Sequence, residues 1–306
     1  MYRYRRILVC LNLDEEDRTV IRYAGMVSRL ARSEVVHFLH VLKPSELPKE
    51  ILAKQPILQK PADSDARVLM NKRVSEYFDD GLGINTSCEV VAGASPVIEV
   101  LKAAVRQDVD LILVGTRTAT EIPSGFAEKI ARKAHCSVLV VPHGAEAMVS
   151  KIVVPTDFSE HSADAFDVAT AFASASDLHD IYGLHVYSIP GECRITAELK
   201  KDVGDLLKEY AETAYGNFIA HRDLRGVSDI PVIREVDHPT EAIGEMVRDI
   251  QADLVVIGSR GRSAAAAVLL GSVAEGLIRA TDVPLLAVKN KGDGMGVLEA
   301  IIERLK

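Results

Sequence analysis

Four stretches of this 306-residue chain recur, in the same order, about 145 residues further on. "RRILVCLN" at residue 5 returns as "SKIVVPTD" at residue 150, and "VHFLHVL" at 36 as "IYGLHVY" at 181. "SPVIEVLKAAVRQDVDLILVGTR" at 95 returns as "HPTEAIGEMVRDIQADLVVIGSR" at 238, and "CSVLVVP" at 136 as "VPLLAVK" at 283. The offset drifts from 145 to 143 and then to 147, so the copies differ by small insertions and deletions. A unit of this length is too long for a stacked repeat, and it reads as a duplicated domain. The expected division is residues 1–145, residues 150–290, and a tail over 291–306, with the joint at "HGAEAMVS".

Inside each copy, short apolar runs rich in β-branched residues alternate with segments of helical period. "ILVC", "VVHFLHV", "CEVVA", "LILVG" and "VLVV" are continuous apolar runs, the pattern of strands covered on both faces. Between them Val20, Tyr23, Ala24, Val27 and Leu30 repeat at helical spacing, as do Val97, Val100, Leu101 and Ala104 after Pro96. Strand–helix alternation predicts two tandem, doubly wound α/β domains of Rossmann-like type. Each has a five-stranded parallel sheet flanked by helices.

Composition narrows the function. Residues 1–145 hold 20 Lys+Arg against 18 Asp+Glu, and the rest of the chain holds 16 against 26. The second copy is therefore acidic, and no nucleic-acid-binding face is expected. The longest apolar run, Ala264 to Leu270, is far shorter than the roughly 20 residues of a membrane span, so no membrane association is expected. Cys10, Cys88, Cys136 and Cys193 are scattered without a paired spacing. A reduced, cytoplasmic setting follows as the expectation.

The chemistry concentrates in "GSRGRSAAAAVLLGS", residues 258–272. Gly258 ends an apolar strand, and a helix pattern begins at or near Gly271. The stretch between them is thus a loop at the carboxyl end of a parallel strand, leading into a helix N-terminus. Open α/β sheets bind ligands at that edge, and free N–H groups at a helix start favour anions. Glycines let backbone approach a phosphate, and Ser272 is suited to cap the helix or to bond a phosphate or metal-bound water. Asp157, after the first strand of the same copy, lies on the same edge. It is also a candidate N-cap for a helix starting near Ser159.

Gly258, Gly261 and Gly271-Ser272 together resemble the G-x2-G-x9-G-[S/T] nucleotide motif of the universal stress protein family. "IVVPTDFSE", "GLHVY" and "VPLLAVK" resemble that family too, and the likeness runs through both copies. The resemblance implies an ATP-binding (or ADP- or AMP-binding), stress-responsive regulatory protein, with Mg2+ accompanying the nucleotide. Pro155, Thr156 and Asp157 would lie beside the nucleoside, with Val186 offering backbone contacts to adenine, Gly258 at the ribose and Ile257 among the nucleotide-binding residues. Gly261, Gly271, Ser272, Val273 and Ala274 would surround the phosphates, and the metal would have no set of protein side chains to itself. Arg260 and Arg262 are added as phosphate-neutralising candidates. Family members pair through their last strands, so an intramolecular pseudo-dimer of the two copies is expected, with a homodimer as a further possibility.

The first copy departs from the motif. Asn12 stands for Asp157, Cys10 for Pro155 and Thr118 for Gly261, while Ser124-Gly125 replaces Gly271-Ser272 in a loop about four residues shorter. It reads as a scaffold that has lost nucleotide. Two alternatives stay open: a nucleotide-free interaction scaffold, and a slow ATP hydrolase. No general base is evident for turnover, and the SGGxDS and HIGH motifs of related enzymes are absent. His40 and His185 read as hydrogen-bonded strand-end residues, and His37 with His40 point to opposite faces of a strand, against a metal site. In the tail, Val297, Leu298, Ile301, Ile302 and Leu305 form one helical face.

Overall fold

The computed structural model describes residues 4–43, 62–79, 81, 83–116, 125–194, 196–261, 270–280 and 282–292. The chain divides into two compact units, Tyr2–Ala147 and Met148–Asp293. Arg262, most of the loop before Gly271 and the tail face at Val297–Leu305 lie outside the described residues.

The first unit runs β1 (Arg6–Leu11), α1 (Asp17–Ala31), β2 (Val35–Leu42), α2 (Ala62–Tyr77) and β3 (Asn85–Ala92). It continues with α3 (Pro96–Arg106), β4 (Leu111–Thr116), α4 (Phe126–Lys133) and β5 (Ser137–Pro142). Its strands pair in parallel in the order β3-β2-β1-β4-β5. Strand β5 is buried along its whole length and β4 along its first four residues. Helices cover both faces, so neither strand can alternate apolar with polar side chains. Helix α1 ends at Arg32 in the left-handed conformation (φ 52°), where Ser33 N–H donates to Ser28 O at 2.9 Å.

The second unit repeats the plan: β6 (Ile152–Pro155), α5 (Glu160–Ala175), β7 (Asp180–Tyr187), α6 (Ala197–Ala220) and β8 (Ser228–Glu235). Then follow α7 (Pro239–Ile250), β9 (Leu254–Gly258), α8 (Ser272–Ala280) and β10 (Leu285–Val288). All pairs are again parallel, in the order β8-β7-β6-β9-β10. Pro96 and Pro239 open α3 and α7 at matching places, where a missing N–H costs nothing. In both units the winding reverses between the first and fourth strands. In the second unit those strands are β6 and β9, which pair directly. The segments that leave Pro155 and Gly258 therefore emerge side by side, at the crevice where such sheets hold ligands.

Candidate functional site

The end of β6 is held by a histidine one strand over. Thr156 N–H donates to Leu184 O at 2.8 Å, and His185 Nδ1 donates back to Thr156 O at 2.8 Å. Phe158 adopts a left-handed φ of 66° and stacks on the His185 ring, with centroids 4.2 Å apart. That single turn puts Ser159, not Asp157, at the start of α5: Ser159 Oγ accepts from Ser162 N–H at 3.3 Å. Asp157 is therefore not the N-cap. Its Oδ1 instead accepts from Ser159 N–H at 3.1 Å and from Ser159 Oγ at 2.6 Å, which fixes the carboxylate in one direction.

That direction is toward the glycine loop. A Cβ built on Gly261 would stand 2.7 Å from Asp157 Oδ2, so only a residue without one fits there unshifted. At Gly258 the obstacle is backbone: a Cβ would meet His161 O at 2.6 Å and Ser162 N at 3.0 Å, where the first turn of α5 crosses the end of β9. Gly271 N–H donates to Ser259 O at 2.7 Å, pinning the far end of the loop to its beginning. Gly271 O in turn accepts from Glu275 N–H at 2.9 Å, so Gly271 caps α8. Ser272 is the first helical residue rather than the cap, and it is exposed.

The expected residues thus divide. Pro155, Thr156, Ile257 and Gly258 are buried at two adjacent strand ends; Asp157, Arg260, Gly261 and Gly271 are half-buried along the crevice. Val186 is half-buried near the end of β7, while Val273 is half-buried and Ala274 buried in the first turn of α8. The sequence reading missed three features. Ser259 is wholly buried directly after the strand, and its hydroxyl has no hydrogen-bond partner among the described residues. Phe158 looks like core in a linear reading, and only its left-handed backbone ties it to the site. His161 and Ser162 supply the backbone against which Gly258 packs.

The corresponding crevice of the first unit has other contents. A pocket there is lined by Cys10, Asn12, Asp17, Thr19, Gly115 and His143. Asp17 occupies the place of Ser162 and is 2% exposed. Its carboxylate accepts from Asn12 N–H at 2.9 Å and Leu13 N–H at 2.8 Å, with Arg73 at 3.4 Å. Burial pushes the Asp17 carboxyl up to about 6 against these stabilising contacts. The same burial pushes the Cys10 thiol up to about 12, far from a reactive thiolate. Leu13 repeats the left-handed turn of Phe158, at φ 63°. His40 repeats the hold of His185, donating from Nδ1 to Leu11 O at 2.8 Å. Gly115 is not crowded, because a Cβ there would meet only Val20 at 3.7 Å. Among the described residues, no group of three or more His, Cys, Asp or Glu is placed to hold a metal ion.

Two tandem domains, each with a doubly wound parallel sheet flanked by helices, define a two-domain α/β protein. A sequence model of the universal stress protein family matches residues 3–142 and again 148–289. The chain belongs to that family as a tandem member. It is 32% identical to Universal stress protein MJ0531 of Methanocaldococcus jannaschii over 145 residues, which cover 47% of this chain and 84% of that one. A universal stress protein of Mycolicibacterium smegmatis is 24% identical over 298 residues, 92% of this chain and 96% of that one. Among solved structures, a universal stress protein from Archaeoglobus fulgidus superposes with a TM-score of 0.64 at 20% identity, over 94% of this chain and 98% of its own. A functionally unknown protein from Pseudomonas aeruginosa superposes at 0.68 with 16% identity, over 98% of both chains. No helix among the described residues is long and apolar enough to cross a membrane.

Proposed function

We propose that the second copy binds an adenine nucleotide, ATP with Mg2+ on its phosphates, and that the protein acts as a nucleotide-dependent regulator in a stress response. The carrying observation is the fit of Gly261 against the fixed Asp157 carboxylate, 2.7 Å from a Cβ that is absent. The Ser259 hydroxyl beside it, buried with no partner among the described residues, is a second point in favour, since buried polar groups ordinarily have partners. Pro155, Thr156, Asp157, Val186 and Ile257 would receive the nucleoside and Gly258 the ribose. Gly261, Gly271, Ser272, Val273 and Ala274 would take the phosphates at the start of α8, with Arg260 and Arg262 offsetting their charge. Binding rather than turnover is the expected activity, because the motif sequence at 258–272 contains no Glu, His or Gln to orient water on a terminal phosphate.

The first copy serves as scaffold in this reading. Asp17 already occupies the N–H groups of Asn12 and Leu13, and a buried carboxylate there repels a polyanion. The expected internal pairing of the two copies belongs to the same proposal. Acid release and chromatography of the purified chain are expected to give about one ATP or ADP per chain, lost on Gly261→Val. Empty protein that also gains no thermal stability from excess Mg-ATP would overturn the proposal and favour a nucleotide-free interaction scaffold.

A further inference from the structure

Helix α6 carries two side-by-side rows that the nucleotide site does not use. Leu199, Val203, Leu206 and Tyr210 recur at i, i+4, i+7 and i+11, the repeat of a single helix face. Leu199, Leu206 and Tyr210 are 41%, 66% and 70% exposed. One residue earlier at every step stand Glu198, Asp202, Asp205 and Glu209, all exposed. Of the neighbouring lysines, Lys200 turns to Glu235 and Lys208 to Glu212, both at 3.8 Å, and the exposed Lys201 makes no ion pair with the acidic row among the described residues. The four acids form no ion pair among the described residues. The face packed on the unit is a different one, made by Gly204, Ala211 and Tyr215. An apolar stripe about three turns long, bordered by a row of unneutralised acids, is thus presented to solvent.

We infer that this face of α6 is a docking surface for a partner protein that presents an amphipathic helix with an apolar stripe and a basic flank. Charge complementarity selects that occupant. Stacking a second α6 antiparallel on the first would bring acidic rows together, and an anionic membrane surface would be repelled by the same row. A cationic helix laid along the stripe covers the leucines and tyrosine and neutralises the acids in one event. The inference is independent of nucleotide binding, because none of these residues lines the crevice.

The test uses the full chain and a fluorescein-labelled synthetic peptide of leucines and lysines patterned as an amphipathic helix. A control peptide carries glutamate for lysine. Anisotropy is expected to show binding of the lysine peptide in about the micromolar range and none of the control. The double variant Leu206→Ser/Tyr210→Ser is expected to weaken binding about tenfold or more, and Asp202→Asn/Glu209→Gln about fivefold. Both pairs are exposed, and circular dichroism checks that the variants fold. Equal binding to wild type and both variants would reduce the effect to the chain's net charge of −8 and overturn the inference. It is also overturned by self-association that Leu206→Ser/Tyr210→Ser abolishes, which gives the surface to a second copy. Binding to anionic vesicles lost in that variant would give it to a membrane, with the same consequence.

Discussion

Gly258 and Gly115 stand at equivalent strand ends, yet only one of them has no room to grow. The His161 carbonyl lies 2.6 Å from the position of a Gly258 Cβ, while Gly115 has 3.7 Å to Val20. Backbone cannot step aside as a side-chain tip can. Gly258→Ala is therefore expected to destabilise by about 1–3 kcal/mol, and Gly115→Ala to stay within about 0.5 kcal/mol of wild type, by urea denaturation. The motif glycine was legible in the sequence, but the reason for it was not: a helix start 97 residues earlier in the chain crosses over it. Asp17 teaches the same lesson, since its burial and its bonds to Asn12 and Leu13 have no linear signature. Its folded carboxyl titrates near 6 against 3.8 for the free group, so the protonated form is favoured by folding. The stability it contributes is complete below about pH 4 and is lost as pH rises through 6, on the order of 3 kcal/mol at most. In Asp17→Asn that loss is removed. The melting temperature of the variant relative to wild type should therefore climb between pH 4.5 and 7; a difference that ignores pH would show that Asp17 is not raised.

At the scale of elements, the second unit ties its crevice to α6 through rings. Phe158 stacks on His185 and meets Phe218 of α6 at 5.6 Å and Tyr215 at 6.0 Å. Tyr215 Oη donates to Asp229 on β8 at 2.8 Å, directly over Gly183 of β7. Burial pushes both the Tyr215 phenol and the Asp229 carboxyl up, while the hydrogen bond donated by Tyr215 pulls the Asp229 carboxyl back toward its charged form. A Cβ on Gly183 would fall 1.6 Å from Tyr215 Oη. Gly183→Ala is expected to displace the ring and cost about 2–4 kcal/mol, since Asp229 loses its donor. Adding Tyr215→Phe removes the clashing oxygen, so denaturation of the double variant should show less loss than the two single losses combined. Simple additivity would mean that the two sites do not touch. Periodicity in the sequence predicted the helices and strands involved. It was silent on which ring meets which, because those contacts join residues far apart along the chain.

For the whole molecule, the two units share a winding order and differ in what sits at the crevice. On the proposed assignment, excess Mg-ATP should raise the stability of the second unit alone. At about a hundredfold excess over the dissociation constant the gain is about 2.7 kcal/mol, read as the shift of one thermal transition while the other stays in place. A shift of both transitions would show that the first copy has kept a site. The sequence by itself determined the duplication and the α/β class, because these rest on periodicity, order and spacing, which are properties of a line, and its motif carried the likeness to the family. It also marked the second copy as the one with the glycine loop. Only the tertiary structure decided that Ser159 rather than Asp157 caps α5, that Asp157 is aimed at Gly261, and that a buried carboxylate lines the first unit's crevice. It alone also left the leucines of α6 bare beside their acids. Each of these depends on which strands become neighbours, and on what burial then does to charge and to space.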